Sequence, residues 1–457
     1  MAEDGKLPGR FRRTLQTAWL GGSVGGRMAT GKLADAFRSE SSRAAARSAR
    51  AVDAAKNTVR TMSELRGPIM KVGQLLSTHT HVLPEEMRAI LRPLEEGVPP
   101  MPFEAARKVV EAELGEPLET AFREFGETAV AAASLGQVHR AKLPDGTEVA
   151  VKVQYPGAAD SVHADAKNLR TGATLAKTLV ADVLRQSRLD MTPIADELAE
   201  HLLQETDYCR EAYNAKLLRR LFDASSRKDV FVPRVHDSHS SLRVITYDWV
   251  EGDGIDAGLT HAEVSVRERT VEQLCHSFWH QLYRGGVLHA DPHPGNYRVL
   301  PDGRLGLLDF GCVKVFSDTF HREFHRMAQA RYRGDRDTLR ASMLALELVD
   351  DASREDQFEE MERLARYMSV GITEDAPFDF GTYDYVTDGR DLVRFFLARR
   401  TVPPAQRDFL FLTRVVLGYY EYFSRARARM HFRDMVAPYL EAPHAGRLFP
   451  VPPYDAS

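Results

Sequence analysis

The sequence lacks cysteine pairs and any marked excess of charge. Its 457 residues include only three cysteines, Cys209, Cys275 and Cys312, and no two of them form a Cys-x-x-Cys motif. A disulfide framework and a cysteine zinc site are therefore excluded, and a reducing compartment is predicted. The 61 basic residues almost balance the 65 acidic residues. The net charge of -4 gives no reason to expect nucleic acid as a partner.

Long apolar runs are also absent. No stretch of about 18 apolar residues occurs, so we predict no membrane-spanning helix. The N-terminus lacks the apolar core of a secretory signal, and the cytosol is the expected location, with peripheral contact at the inner membrane as an open alternative. Hydrophobic residues make up 43% of the chain and charged residues 28%, a composition typical of a globular protein with two or three lobes.

Acidic and amide side chains flank a predicted hairpin in the second half of the chain. Residues 297–300 and 304–308 form short strands on either side of a Pro-Asp-Gly turn. The hairpin brings Asn296, just before the first strand, beside Asp309, just after the second, with Asp291 one loop upstream. Carboxylate and amide oxygens converging in this way suit Mg²⁺ that carries a nucleotide phosphate. The Asp-x4-Asn spacing and the later Asp-Phe-Gly triplet match the catalytic and metal loops of kinases.

A second hairpin, which follows a predicted helix at residues 103–114, carries a lysine. Its strands are predicted at residues 139–143 and 148–153, and Lys152 points away from the valines of the second strand. Kinases keep the lysine that pairs with nucleotide phosphates at this place. The loop before the hairpin has alanine where protein kinases have Gly-x-Gly-x-x-Gly, so we expect altered nucleotide binding, because alanine tolerates fewer backbone conformations. The candidate nucleotide-binding residues of the loop are Ala131, Ala132, Ala133 and Ser134.

A long helix carries the glutamate that a kinase needs beside this lysine. The helix is predicted over residues 192–221, and Glu211 on it is our choice of partner for Lys152. Asp207 shares the face of Glu211, four residues away. The apolar stripe of the helix comprises Leu198, Leu202, Cys209 and Ala212.

Glu205 falls within that apolar stripe, where a carboxylate needs a cation or hydrogen-bond donors. Residues 61–77 predict an amphipathic helix whose polar face carries Gly67, Lys71 and Gln74. Such a face would lie closely against a second element, or it is simply the solvated side of the helix. We assign Lys71 to Glu205, and the alternative is a salt bridge between Glu205 and a neighbouring arginine.

A hinge is predicted after a strand at residues 243–247. Backbone groups at Asp248 and Val250 are the candidates for hydrogen bonds to an adenine ring. From residue 318 onward the chain is predicted to be mostly helical, with residues 409–423 as the most apolar element and therefore core. The proline-rich tail from Pro443 is predicted to be loose.

Together these motifs resemble the signature set of the UbiB family of atypical kinases, also called AarF. The resemblance runs in order along most of the chain and rests on residues 70–74, 131–137, 149–157, 205–212, 289–296 and 308–311. It implies an α+β, protein-kinase-like fold with two lobes. The implied segments are a flexible or helical leader (1–55), a helical extension with a K-x-G-Q motif (56–125), a β-rich N-lobe (126–250), a helical C-lobe (251–440) and a loose tail (441–457).

The resemblance also implies roles for the extension. In the family, the K-x-G-Q motif, here Lys71, Gly73 and Gln74, packs over the site where a peptide substrate would lie. Its lysine meets an E-x-D motif, here Glu205 and Asp207. Family members bind nucleotide with Mg²⁺, behave as ATPases and support isoprenoid-quinone biosynthesis at membranes.

Three functions remain open. The first is a Mg²⁺-dependent ATPase that supports ubiquinone-type biosynthesis or lipid handling. In it Lys152 orients the phosphates of ATP, Asn296 and Asp309 hold Mg²⁺, and Asp291 accepts the proton of an attacking water or hydroxyl. The second is a small-molecule or protein kinase, and the third is a nucleotide-gated scaffold. The expected partners are a nucleotide and a quinone precursor or lipid, with peripheral membrane contact and without nucleic acid.

Overall fold

A computed structural model describes most of the chain after residue 99. The described residues are 100–133, 135–164, 166–167, 170, 196, 199–200, 202–351, 353–399 and 407–454. The predicted leader, the K-x-G-Q helix with Lys71, Gly73 and Gln74, and the loop residue Ser134 lie outside them. The chain forms two compact units, the first with residues up to Tyr208 and His236–Tyr247, the second with Cys209–Val235 and Asp248–Ser457.

The first helix among the described residues of the first unit confirms a prediction. Helix α1 (Phe103–Leu114) starts after Pro102 and ends at Gly115, whose φ of 74° is the left-handed conformation that glycine favours at a helix end. The buried face of the helix carries Ala106, Val109 and Val110. A short helix, α2 (Leu118–Ala121), follows.

A five-stranded sheet follows these helices in the first unit. Its strands are β1 (Glu124–Phe125), β2 (Ala131–Ala132), β3 (Gly136–Lys142), β4 (Glu148–Gln154) and β6 (Val244–Asp248), and β5 (Val230–Phe231) belongs to the second unit. The strands lie in the order β1-β3-β4-β6, with β2 paired to β3. The predicted lysine hairpin is confirmed, because β3 and β4 pair antiparallel from Gly136 opposite Gln154 to Lys142 opposite Glu148. The β4 valines Val149, Val151 and Val153 are fully buried.

The helix predicted over residues 192–221 is not continuous. Residues 205–207 form a turn, and helix α3 (Tyr208–Asp223) begins after it. The Thr206 hydroxyl donates to the carbonyl of Leu203 at 2.7 Å, and the Thr206 carbonyl accepts from the Gln154 amide at 3.0 Å. These contacts compete with helical hydrogen bonding, which explains the break. Because the break shifts the helical phase, Cys209 is exposed and does not belong to a buried stripe.

The second unit combines three small sheets with most of the helices. One sheet has the order β5-β10-β9-β7, β8 pairs with β11, and β12 pairs with β13. The strands are β5 (Val230–Phe231), β7 (Asp253–Gly254), β8 (Val287–His289), β9 (Tyr297–Val299), β10 (Leu305–Leu307), β11 (Val313–Val315), β12 (Phe378–Asp379) and β13 (Arg429–Met430). The helices are α4 (Ile255–Leu259), α5 (Val264–Trp279), α6 (Asp318–Arg333), α7 (Arg336–Ala345), α8 (Glu355–Tyr367), α9 (Tyr385–Arg399), α10 (Arg407–Arg425) and α11 (Phe432–Leu440).

The hairpin predicted between Asn296 and Asp309 is confirmed. Strands β9 and β10 pair antiparallel, and the turn places Gly303 at a φ of 79°. At the open end, the Leu308 amide donates to the Asn296 carbonyl at 2.8 Å. The segments before and after the hairpin are therefore adjacent.

Helix α10 is the apolar element predicted at residues 409–423, and its core role is confirmed. Val415 is fully buried, and Phe411, Leu412 and Tyr419 are nearly so. The tail after Pro443 differs from the prediction of a loose segment, since its arginine and aromatic side chains contact the rest of the second unit. Along the stretches of chain given above, no helix has the length and apolarity to cross a membrane.

Candidate active site

His289 joins the two loops that the sequence singled out. It ends strand β8 with a side chain that is 2% exposed, and its Nε2 donates to the carbonyl of Asp309 at 2.7 Å. Its backbone amide donates to Oε1 of Gln281 at 2.6 Å. Gln281 lies on a π-helical segment, His280–Gly285, and such segments are frequent at functional sites. His289 therefore braces the backbone of both loops.

Both carboxylate oxygens of Asp291 accept hydrogen bonds. Oδ2 accepts from Nδ2 of Asn296 at 3.0 Å, and Oδ1 accepts from Nη2 of Arg414 at 2.5 Å. The side chains of Arg414 and Asp291 are only 7% and 11% exposed. Separating a charge pair so far removed from water would leave an uncompensated buried charge. Asp291 is therefore held in a fixed orientation by Asn296 and Arg414.

Arg414 is a site residue that we did not predict. It lies 123 residues beyond Asp291 in the chain, within the apolar stretch that we assigned to the core. The reasoning applied to Glu205 would have identified it, because a charge inside an apolar stripe needs a partner. That reasoning would not have named Asp291 as the partner, since no local spacing links the two residues.

One face of helix α10 supports the loop that carries Asp291. Arg414, Gly418 and Tyr422 follow one another at intervals of four residues and therefore share that face. The Tyr422 hydroxyl donates to the Pro292 carbonyl, and burial raises the pKa of Tyr422 well above its ordinary value, so the hydroxyl remains a donor. A Cβ atom at Gly418 would lie 2.8 Å from the Pro292 ring. The helix and the loop thus approach as closely as glycine permits.

Asp309 has an unusual backbone conformation. Its φ of 56° is left-handed, which is uncommon for a residue other than glycine and is frequent at functional sites. Its Oδ1 accepts from the Gly311 amide at 3.1 Å. The next residue, Phe310, is fully buried, and its carbonyl accepts from Nδ2 of Asn214 on helix α3 at 2.9 Å. The metal loop is thus fixed from several sides.

The oxygen donors at the mouth of the hairpin fit a magnesium ion that also takes ligands from a nucleotide. Because Nδ2 of Asn296 donates to Asp291, the carbonyl oxygen of the same amide is turned to the other side and would be available as a ligand to a cation. Asp309 adds a carboxylate across the hairpin mouth. Within the described ranges, no cluster of three or more His, Cys, Asp or Glu side chains could hold a metal. Carboxylate and amide oxygens of this kind suit Mg²⁺, which usually also takes ligands from phosphate and water.

Lys152 lies in the first unit. As predicted, it faces away from the buried valines, and it is half-buried. Its Nζ is 5.1 Å from the centre of the Tyr208 ring, a cation–π distance, and that ring is 1% exposed. The contact holds the ammonium group over the Tyr208 ring, within the first unit.

The alanine-rich loop is partly a strand. Ala131 and Ala132 pair with β3 and are exposed, and the Ala133 amide donates to the Gly136 carbonyl at 2.8 Å. A Cβ atom at Gly136 would lie 2.3 Å from the Val153 carbonyl oxygen. Only glycine fits there, a close approach that the sequence analysis missed.

The hinge is held mainly through Asp248. Its amide donates to the Arg234 carbonyl at 3.0 Å, and its carboxylate accepts from the Arg234 amide at 3.0 Å and lies 3.8 Å from Arg219. The Asp248 amide is therefore already used as a donor. An adenine ring would have to bond other backbone groups of the hinge, including those of the half-buried Val250.

The acidic residues around the start of helix α3 differ in burial. Glu211 is 3% exposed, whereas Glu205 and Asp207 are half-buried in the turn before the helix. Lys71 lies outside the described residues, so its pairing with Glu205 stays a prediction. The pairing of Glu211 with Lys152 also stays a prediction.

Comparison with known proteins gives a consistent result. Residues 93–343, just over half of the chain, match the ABC1 atypical kinase-like domain. The chain is 35% identical over 291 residues to the Arabidopsis thaliana protein ACTIVITY OF BC1 COMPLEX KINASE 8, chloroplastic, an alignment that covers 61% of this chain and 37% of that protein. It is 28% identical over 388 residues to the zebrafish (Danio rerio) atypical kinase COQ8B, mitochondrial, which covers 83% of this chain and 60% of that protein.

A solved structure supports the same assignment. The complex of Rv3197 with erythromycin from Mycobacterium tuberculosis is similar with a TM-score of 0.57 at 28% identity, covering 82% of this chain and 93% of that chain. The α+β, protein-kinase-like fold predicted from the motifs is therefore confirmed. The chain spans between about two fifths and three fifths of the length of the two curated relatives named above. By its motifs, its fold and these matches, the chain belongs to the ABC1 atypical kinase-like family, the UbiB/AarF family that its motifs resemble.

Proposed function

We propose that the chain is a Mg²⁺-dependent ATPase that supports isoprenoid-quinone biosynthesis or lipid handling. One observation carries the proposal: Asp291 is held between Asn296 and Arg414 at the mouth of the hairpin that ends at Asp309. This arrangement supports a phosphoryl-transfer site, and the polar residues that this chemistry needs are all present in the sequence.

Each residue has a distinct role in the proposed reaction. Asn296 and Asp309 would hold Mg²⁺, which supplies positive charge to the phosphates when it is bound. Lys152, with Glu211 as its partner, orients the phosphates. Asp291 hydrogen-bonds the attacking water and accepts its proton.

The environment of Asp291 favours water as the attacking group. Its side chain is 11% exposed, which leaves room for a small nucleophile in preference to a bulky hydroxyl acceptor. Arg414 holds the carboxylate in one orientation. The low exposure of Asp291 supports hydrolysis over transfer to a bulky acceptor.

The quinone or lipid part of the proposal rests on the family. The resemblance implies support of isoprenoid-quinone biosynthesis, and the relatives described above have names that place them in mitochondria or chloroplasts. We propose a cytoplasmic protein that contacts the inner membrane peripherally, with a quinone precursor or a lipid as its partner.

Phosphate release by the purified chain tests the proposal. We expect Mg²⁺-dependent ATP hydrolysis that rises when anionic liposomes and a phenolic quinone precursor are added. Asp309→Asn should lower the rate by at least about a hundredfold and leave the unfolding temperature nearly unchanged, because a charged ligand is lost from an otherwise intact loop.

The same hairpin offers a matched control. Asp302 lies at its other end, in the exposed turn, where its carboxylate bonds Arg304, and Asp302→Asn should hydrolyse ATP normally. Normal hydrolysis by Asp309→Asn would remove the metal assignment. If neither liposomes nor the quinone precursor changed the rate of ATP hydrolysis, the quinone or lipid part of the proposal would be wrong.

A small-molecule kinase is the second candidate. The similar structure from Mycobacterium tuberculosis was solved in complex with erythromycin, which favours a small hydroxyl-bearing acceptor as an alternative to water. Incubation with radiolabelled ATP and a macrolide distinguishes the two: label in the macrolide supports the kinase, and label only in inorganic phosphate supports the ATPase.

A further inference from the structure

The segment after helix α11 follows a defined path across the second unit. Arg447 is 11% exposed and donates to the Phe316 carbonyl, while the Leu448 amide donates to the Arg284 carbonyl at 2.9 Å. These bonds fix the first half of the segment to the chain around strands β8 and β11. The direction of the second half is thereby set.

The second half of the segment lies along helix α3. The Phe449 ring centre is 4.2 Å from the Arg220 guanidinium carbon, and the Tyr454 ring centre is 5.3 Å from that of Arg210. The Tyr213 hydroxyl donates to the Pro452 carbonyl. The helix residues are spaced by three and seven positions, so the segment contacts a single face over about three turns.

Asn214 links helix α3 to the loop that carries Asp309. Glu211 is 3% exposed and Asn214 is 4% exposed, and Nδ2 of Asn214 donates to the Phe310 carbonyl at 2.9 Å. Phe310 directly follows Asp309, whose left-handed backbone depends on how this loop is held. A displacement of helix α3 would therefore be transmitted to the metal loop.

The geometry points to a strap: residues 444–454 hold helix α3 in place and, through Asn214, position the metal loop for the nucleotide. Phe449 and Tyr454 are thus positioning residues, and this role rests on the proposed function. The hydrogen bonds of the first half fix where the segment runs. The two aromatic–arginine contacts of the second half then hold helix α3 in place. Removal of these two contacts should make the helix more mobile, although no residue that contacts the nucleotide is changed.

Two variants of the full chain test the strap, Phe449→Ala and Tyr454→Ala. The matched control is Leu448→Ala, because that side chain belongs to the same segment and is 49% exposed. We expect amide hydrogen exchange in residues 209–223 and 309–312 to accelerate about fivefold in both variants and not in the control. We also expect the KM for ATP to rise about fivefold while kcat changes less than about twofold.

The split between KM and kcat separates positioning from simple loss of stability. A variant that merely folds less well has fewer active molecules, which lowers kcat and leaves KM unchanged, and that result would overturn the strap. Unchanged exchange in helix α3 would overturn it too. If the wild-type chain failed to hydrolyse ATP, the ATPase proposal would fall, and a non-hydrolysable ATP analogue with Mg²⁺ would replace the kinetic measurement alongside the exchange data.

Discussion

At the scale of single residues, the site depends on charges that are kept from water. Arg414 and Asp291 are both almost buried, and the charge of each residue is compensated by the charge of the other. The sequence predicted Asp291, Asn296 and Asp309 because local spacing and a hairpin bring them together. It did not predict Arg414, because the contact between distant chain segments follows from tertiary packing, which no local pattern encodes.

Removal of Arg414 alone should be costly. We expect Arg414→Gln to lower the free energy of unfolding by about 3–5 kcal/mol, because Asp291 would remain as an unpaired buried charge. Urea unfolding of the single variant, of Asp291→Asn and of the double variant forms a thermodynamic cycle. The double variant should be more stable than Arg414→Gln alone.

An exposed pair provides the comparison for this cycle. Arg394 and Asp391 lie 3.1 Å apart with side chains that are 76% and 51% exposed, so Arg394→Gln should change stability by less than about 1 kcal/mol. If Arg414→Gln and Arg394→Gln lowered the free energy of unfolding equally, Arg414 would not be compensating a buried charge.

At the scale of elements, turns and hairpins were predictable, and interruptions were not. Glycine, proline and aspartate in the turns identified both hairpins, and the valines of strand β4 identified its buried face. The break before helix α3 was missed because Gln154, from a distant strand, bonds the Thr206 carbonyl. Likewise, helix α10 was predicted as core, but its periodicity did not reveal that one face supports the loop that carries Asp291.

Gly418→Ala tests the contact between helix α10 and that loop. In an ordinary helix this change is stabilising by about 0.5–1 kcal/mol. At Gly418 the new methyl group would lie 2.8 Å from the Pro292 ring, and overpacking costs about 1–3 kcal/mol. We therefore expect lower stability and, since Asp291 adjoins Pro292, a fall in kcat of up to about a hundredfold.

Gly254→Ala is the control for this variant, because a Cβ atom there would meet nothing within 4 Å and φ is -59°. Its stability and kcat should stay near those of the wild type. A more stable and fully active Gly418→Ala would contradict the close approach of the helix to the loop.

At the scale of the whole molecule, the sequence was sufficient for the fold class and the family, because ordered motifs report the kinase-like topology. It was not sufficient for the tail, whose proline content suggested a loose segment. The tail instead meets arginines and histidines from several helices, and such a surface exists only once the second unit has folded. One part of that surface is a cluster formed by His321, His325 and His444. The ring centre of His444 lies 4.7 Å from that of His321 and 4.9 Å from that of His325.

This histidine cluster should make stability depend on pH. Burial, followed by smaller contributions that include the nearby His444, lowers the pKa of both His321 and His325 from 6.5 to about 4. The unfolded chain therefore binds more protons than the folded chain between these values. The stabilisation is fully present above pH 6.5 and is lost as pH falls towards 4. Nearby positive charges also lower these pKa values: Arg447 acts on His321, and Arg284 and Arg333 act on His325.

Urea unfolding at pH 7 and pH 5 measures the effect. Each of the two histidines should contribute on the order of 1–2 kcal/mol to the loss of stability between these pH values. His325→Gln should flatten the dependence by that amount, whereas His163→Gln, at an exposed position of the first unit, should leave it unchanged. Since carboxylates also titrate towards acid pH, the difference between variant and wild type is the informative quantity. A variant that loses as much stability as the wild type would show that His325 is protonated equally in the folded and unfolded chain.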